Sequence, residues 1–194
     1  MNIVICGVGG HGVVLAGRIL AKAFIENGVP VRVGEVHGLA VRGGSVISHL
    51  RTAHDALGPI IPANAGDLMI SFEPLEALRF LDRMKKNSVV VLNNRPHYGV
   101  AEWAGLAPYP PAEDILSALR KYTNVIDIDS TSIALKCGGS IYLNTVMLGA
   151  AFASGKLSIT REKLLNAIKS YIPTKAVENN LIAFESGEKA VKDR

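Results

Sequence analysis

The sequence predicts a three-layer α/β fold with a mainly parallel but mixed sheet. Three observations lead there. Short apolar runs of strand length alternate with stretches of helical period, a glycine turn joins the first strand to the first helix, and two strand-like segments follow one another with no helix between them.

Residues 2–6 (NIVIC) are a continuous apolar run of the kind a strand buried on both faces shows, and GVGGHG follows at once. From about Gly10 to Asn27 the period becomes helical. Val13, Ala16, Leu20 and Phe24 share one face, Arg18 and Lys22 lie on another, and Gly28 stands where a glycine ends a helix. Residues 29–36 (VPVRVGEV) form a second strand, placed at an edge because Pro30 has no N–H to give a ladder. Ser45–Arg51 alternates Val46, Ser48 and Leu50 with Ile47, His49 and Arg51, which predicts a third strand, so two strands flank the loop Gly38–Gly44.

Residues 67–72 (DLMISF) form a buried strand, and 73–85 a helix with Pro74 near its first position. Another apolar strand covers 88–94. The stretch 95–111 (RPHYGVAEWAGLAPYPP) is an irregular loop carrying prolines and aromatics. A helix from about Ala112 to Lys121, a strand Val125–Ile128, a helix through Ser132–Lys136 and a break at Gly138 and Gly139 continue the alternation. Two or three helices then close the chain, over Tyr142–Ala153, Arg161–Tyr171 with Thr160 as its cap, and Val177–Val191.

The length of 194 residues suits one domain, 1–194, with C-terminal helices from about residue 140. Hydrophobic residues make up 48% of the chain and the mean hydropathy is +0.25, values that point to apolar surface reserved for a partner and, in an isolated chain, to a homodimer. No apolar run reaches the roughly 20 residues that cross a bilayer, and Met1–Cys6 passes into a strand without a signal-peptide layout, so no membrane contact and a cytoplasmic location are expected. Two cysteines, Cys6 and Cys137, cannot make a disulfide framework or ligate an iron–sulfur cluster alone. The net charge of +4 comes from 21 basic and 17 acidic residues spread along the chain, with 6% aromatics, which excludes nucleic acid and suits a phosphate-bearing small molecule or an acidic protein face.

Gly7, Gly9 and Gly12 have the G-x-G-x-x-G spacing between a strand and a helix, with Gly10 and His11 inside the turn. Glycines there let backbone N–H groups approach a phosphate at the positive end of the helix dipole. A tight crossover without ligand has the same pattern. The acid that grips a ribose lies roughly 20 residues further on in a nucleotide fold, and the candidates here are Glu26, inside the helix, and the late Glu35. His37, His49 and His54 have no second ligand at metal spacing, so no metal site is expected. Arg42, beside Gly43 and Gly44, has the makings of an anion clamp or of a surface turn. Glu73 is placed at a helix start, where a carboxylate favours the dipole. Ser45, Ser48 and Ser71 lack the neighbours of a nucleophile, and no catalytic residue is assigned.

The segments GVGGHGVVLAGRILAKA (7–23), GEVHGLAVRGGSVISHLR (34–51), DLMISFEPLEALR (67–79) and VVVLNN (89–94), in that order and spacing, resemble the gamma-type subunit of 2-oxoacid:ferredoxin oxidoreductases. The likeness is strongest to the small (beta) subunit of indolepyruvate:ferredoxin oxidoreductase. NTVMLGAAFASG (144–155) and ENNLIAFESGEKA (178–190) extend it over nearly the whole chain. His11 departs from it, since the family usually carries glutamine there. The resemblance implies a Rossmann-like variant that is not a nicotinamide domain. It implies a hetero-oligomer whose large subunit carries thiamine diphosphate with Mg and the iron–sulfur clusters, oxidising a 2-oxoacid such as indolepyruvate to acyl-CoA with electrons to ferredoxin. This chain would complete the site: Gly7, Gly9, Gly10, His11 and Gly12 at a phosphate, that of coenzyme A as a shared ligand, and Glu35, His37, Arg42, Gly43, Gly44 and Ser45 facing the large subunit or a substrate channel. A stand-alone Rossmann-type nucleotide-dependent oxidoreductase, with Glu35 on the ribose, and a purely structural assembly subunit remain as rivals.

Overall fold

Strand β1 (Asn2–Val8) runs through the middle of the molecule with Ile3 and Ile5 on one face and Val4 and Cys6 on the other, all fully buried, which is why its sequence reads as an unbroken apolar run. In this computed structural model the described residues are 1–38, 40, 43–52, 58–98 and 104–194. Helix α1 (Val13–Glu26) follows and ends where Gly28, at φ 76°, donates its N–H to the carbonyl of Ile25. Then come β2 (Arg32–His37), β3 (Ser45–Arg51) and β4 (Gly66–Ser71). Helix α2 (Pro74–Arg79) leads to β5 (Met84–Asn93), α3 (Ala112–Tyr122), β6 (Asn124–Ile128) and α4 (Ser130–Lys136). The chain closes with α5 (Leu143–Ala153), α6 (Arg161–Tyr171) and α7 (Val177–Lys192).

The sheet order is β2-β3-β1-β4-β5-β6. β4, β5 and β6 pair in parallel outward from β1, whereas β3 is antiparallel to both β1 and β2. The mainly parallel but mixed sheet, and β2 at an edge, are as the sequence implies, and β3 is the strand that runs in reverse. α1 and α4–α7 cover one face and α2 and α3 the other, so two apolar cores sandwich the sheet. Among the described residues no helix is long and apolar enough to cross a membrane.

One element differs from the sequence reading. The helix expected over 73–85 stops at Arg79, a single 3-10 turn follows at Leu81–Arg83, and Met84 already begins β5. The carbonyls of Asp82 and Arg83 accept from the N–H groups of Asn64 and Ala65 at 2.9 and 3.0 Å, and Met84 pairs with Gly66. Ladder bonds to a distant segment thus override the local helical period.

α5 is buried from Leu143 to Ala151 and lies against α7. Glycines permit that approach: a Cβ on Gly149 would meet the carbonyl oxygen of Phe184 at 2.0 Å.

Candidate functional site

A cleft of about 650 Å³ opens at the carboxyl ends of β1 and β5, beside the start of α1. Its walls are Gly9, Gly10 and His11 from the turn after β1, Gly43 from the turn between β2 and β3, and Asn93 and Arg95–His97 from the end of β5. Thr131, Ser132 and Leu135 of α4 complete it, together with Ser140, Ile141 and Leu143. Leu135 and Ile141 are 58% and 75% exposed, which gives the mouth an apolar lip.

The glycine turn is braced from within. Gly9 donates its N–H to the carbonyl of Gly44 at 2.8 Å and accepts from the N–H of Gly43 at 3.2 Å, while His11 donates its N–H to Val8 at 3.1 Å. Two of the turn's amides are therefore committed inside the chain. The His11 ring stands edge-on to His97 with centroids 4.6 Å apart, and its buried Nδ1 has no hydrogen-bond partner among the described residues. Burial, with the neighbouring His97 adding to it, lowers the His11 pKa to about 4, so the ring is neutral near pH 7.

Asn93 fixes the floor: its Nδ2 donates to the carbonyl of Phe72 at 2.9 Å and to the hydroxyl of Thr131 at 3.0 Å. Arg95 donates from Nε to Asp129 at 3.0 Å and from Nη2 to Ser132 at 3.2 Å. Asp129 also caps α4, and these bonds hold its carboxyl below the usual range against the opposing effect of burial.

Of the residues singled out in the sequence, Gly9, Gly10, His11 and Gly43 meet in the cleft. Gly7 lies within β1, where a Cβ would sit 2.7 Å from the Cβ of Phe72. Gly12, at φ 81°, caps α1, and a Cβ there would stand 3.0 Å from Asn144 on α5. Gly44 accepts from Gly9, and Ser45 donates its hydroxyl to Glu76. Glu35 is elsewhere, in a groove between α1 and β2, paired with Arg18 at 3.4 Å. His37 is exposed at the end of β2. Arg42 and His54 lie outside the described residues. His49 is buried, and its Nδ1 accepts from the N–H of Ile61. Glu73 stands at a helix start as expected, as the N-cap of α2.

The sequence did not single out His97, Asn93, Thr131 or Glu76, and it pointed to Glu73 only as a carboxylate at a helix start. The spacing of the two glutamates, a cap residue and its third helical position around Pro74, was a legible capping signal. Their burial, at 1% and 5% exposure, was not.

The described residues offer no donor set for a metal-bound thiamine diphosphate or an iron–sulfur cluster. Among the described residues no three His, Cys, Asp or Glu side chains gather. Cys6 is buried, its thiol pushed up in pKa by that burial, and it donates to Ser71, while Cys137 lies against Ser186.

The family described as pyruvate ferredoxin/flavodoxin oxidoreductase matches residues 2–190. The chain is 39% identical to indolepyruvate oxidoreductase subunit IorB of Pyrococcus horikoshii over 99% of its own length and 96% of that protein, and 36% identical to the IorB of Thermococcus kodakarensis over the same shares. Identity falls to 29% with pyruvate synthase subunit PorC of Methanothermobacter thermautotrophicus, covering 94% of this chain and 93% of that one. Among solved structures, the gamma subunit of keto/oxoacid ferredoxin oxidoreductase from Geobacter sulfurreducens has the same fold, with a TM-score of 0.72 at 21% identity over 100% of this chain and 99% of that one. The whole chain also superposes, at a TM-score of 0.75 and 18% identity, on 31% of the longer chain of 2-oxoglutarate:ferredoxin oxidoreductase from Magnetococcus marinus. Matched along residues 2–190 and, by its relatives, over nearly its full length, the chain belongs to the pyruvate ferredoxin/flavodoxin oxidoreductase family, as a small subunit of a 2-oxoacid:ferredoxin oxidoreductase.

Proposed function

We propose that this chain is the small subunit of an oxidoreductase acting on indolepyruvate or a related arylpyruvate, and that its cleft forms one wall of a site completed by a large partner subunit. The observation that carries the substrate class is the difference in likeness: 36–39% identity to subunits named for indolepyruvate, against 29% to one named for pyruvate. The partner would carry thiamine diphosphate with Mg and the iron–sulfur clusters, which supply oxidative decarboxylation of the 2-oxoacid to acyl-CoA and electron transfer to ferredoxin. This chain's part is to bind, orient and exclude water, and alone it is inactive.

The geometry supports that division. The apolar lip of Leu135 and Ile141 offers a surface for a partner. Inside, the neutral His11 presents a buried nitrogen with no partner among the described residues, and Arg95, Thr131 and Ser132 line the same space. Those groups suit a phosphate-bearing ligand, coenzyme A shared with the partner, whose contact with the glycine turn itself falls mainly to Gly10. Arg42 belongs to the same proposal as an anion clamp beside Gly43.

The test is anaerobic co-purification of the tagged chain from its native cell, with the eluate assayed for CoA-dependent reduction of ferredoxin or a viologen dye by indolepyruvate, pyruvate and 2-oxoglutarate in parallel. A large thiamine- and iron-sulfur-bearing partner with the highest kcat/KM on indolepyruvate is expected. A preference for pyruvate or 2-oxoglutarate would overturn the substrate class, and unchanged CoA and oxoacid kinetics for Arg42→Ala in the intact complex would remove that residue from the site.

A further inference from the structure

Two of the loops that line the cleft hang from one short helix. Glu73 caps α2, with Oε2 accepting from the N–H of Glu76 at 2.9 Å. Its other oxygen leaves the helix altogether: Oε1 accepts from the N–H of His97 at 3.2 Å and from the hydroxyl of Tyr109. The chain leaving β5 and the chain approaching α3 are thus tied to one atom. Glu76, one step along α2, accepts from the hydroxyl of Ser45 through Oε2 and from Nε of Arg79 at 3.1 Å through Oε1. Ser45 ends the turn whose Gly43 and Gly44 exchange hydrogen bonds with Gly9. His97 and Gly43 both line the cleft, and each lies within two residues of a bond to Glu73 or Glu76.

The residue type at the cap is informative. Ser, Thr, Asp and Asn are the favoured N-caps, because a short side chain suffices to meet the first free N–H groups. A glutamate there gains nothing as a cap, and its burial raises the cost of keeping it ionised, visible as an upward shift of its pKa. What its extra length adds is reach to His97 and Tyr109. Carboxylate acceptors also make stronger hydrogen bonds than neutral ones, so two such anchors give stiff walls.

We propose that Glu73 and Glu76 are positioning residues, a pair of buried carboxylates at the start of α2 that fixes the placement of the His97 and Gly43 loops at the cleft and, through the ring contact with His97, the orientation of His11. The proposal rests on the reading of the cleft as the ligand-facing part of the assembled enzyme. Neither glutamate acts on substrate directly. Their effect passes through the two loops, and the two arms are separable, because each carboxylate holds a different one.

The test uses Glu73→Asp and Ser45→Ala in the full chain and in the intact complex. Asp keeps the cap, so α2 still forms, but is one methylene too short to span to the loop. In the isolated full chain, Glu73→Asp is expected to abolish the NMR cross-relaxation between the His11 and His97 rings and to move the His11 titration upward from about 4, while Gly9 amide exchange stays slow. Ser45→Ala is expected to do the reverse, keeping the ring contact and speeding Gly9 amide exchange about tenfold, the equivalent of one net hydrogen bond. In the complex, each variant should raise KM for CoA or oxoacid several-fold more than it lowers kcat. Ring contact and exchange both unchanged in the two variants would overturn the positioning role. Loops displaced with kinetics untouched would uphold it and overturn instead the reading of the cleft as the ligand site.

Discussion

Gly187 on α7 lies so close to the carbonyl of Val146 on α5 that a Cβ built on it would stand 2.0 Å from that oxygen. Gly149 makes the reciprocal approach to Phe184, so the two helices touch backbone to backbone. Gly187→Ala must push them apart and is expected to destabilise the chain by about 1–3 kcal/mol, the usual cost of overpacking a core. Urea unfolding reads the change as a lower midpoint at constant slope.

Arg161 on α6 holds Glu188 on α7 with two bonds, from Nε at 3.0 Å and Nη2 at 2.9 Å, and lies 5.5 Å from the Phe184 ring centre. The carboxylate is nearly buried, whereas the guanidinium is 42% exposed. Arg161→Ala leaves Lys192, at 3.5 Å, as the remaining cation beside Glu188. A loss of about 1–2 kcal/mol is expected, below the full cost of breaking a buried pair because one partner is wet. Glu188→Gln should cost less, and comparing the two by thermal unfolding checks the asymmetry.

His11 gives the fold a pH dependence of predictable sign. Its pKa falls from 6.5 to about 4 on folding, so the unfolded chain takes up the proton first, and stability present above pH 6.5 drains away as pH falls toward 4. Glu73 works in the opposite sense: its carboxyl is raised, and its contribution is lost as pH rises through that raised value. His11's share is therefore read as a difference. Between pH 6.5 and 4 the wild type should lose about 1–2 kcal/mol relative to His11→Gln, less than the whole shift implies because the ring is partly exposed. Denaturant titrations of both chains across that window measure it.

Asn93 is 1% exposed and bridges Phe72 to Thr131. Asn93→Asp replaces a donor with an acceptor facing the Phe72 carbonyl. It is expected to cost about 1–3 kcal/mol, more than the outlay for a surface substitution. Asn93→Ala should cost a similar amount while enlarging the cleft, so a binding assay with coenzyme A on the intact complex separates a lost contact from a lost shape.

Much of the architecture was legible because its signals are local. The buried run at Ile3–Cys6, the cap at Thr160 and the helix-ending Gly28 each sit where their chemistry dictates. The strand β3 was readable from the alternation of Ser45–Arg51, its reversed direction only from the pairing with β1 and β2. The length of α2 was not, because the carbonyls of Asp82 and Arg83 find partners in a segment nearly twenty residues earlier. The cleft was half legible: the glycine turn announces itself, but His97, Thr131 and Glu73 are joined to it only by folding. Glu35 shows the converse, a residue conspicuous by position in the sequence that the fold carries to a different groove.

The antiparallel β3 has a consequence for how such a protein diversifies. In a wholly parallel sheet, the chain leaving the strand next to β1 would depart through a crossover helix and resurface at the far end of the sheet. Here β2 turns straight back, and the connection delivers Gly43 and Gly44 beside Gly9. One inverted strand thereby adds an interchangeable part to the working rim. The turn can accept insertions and new side chains while the register of β1 with β4 stays as it is, so specificity can drift without the scaffold being renegotiated.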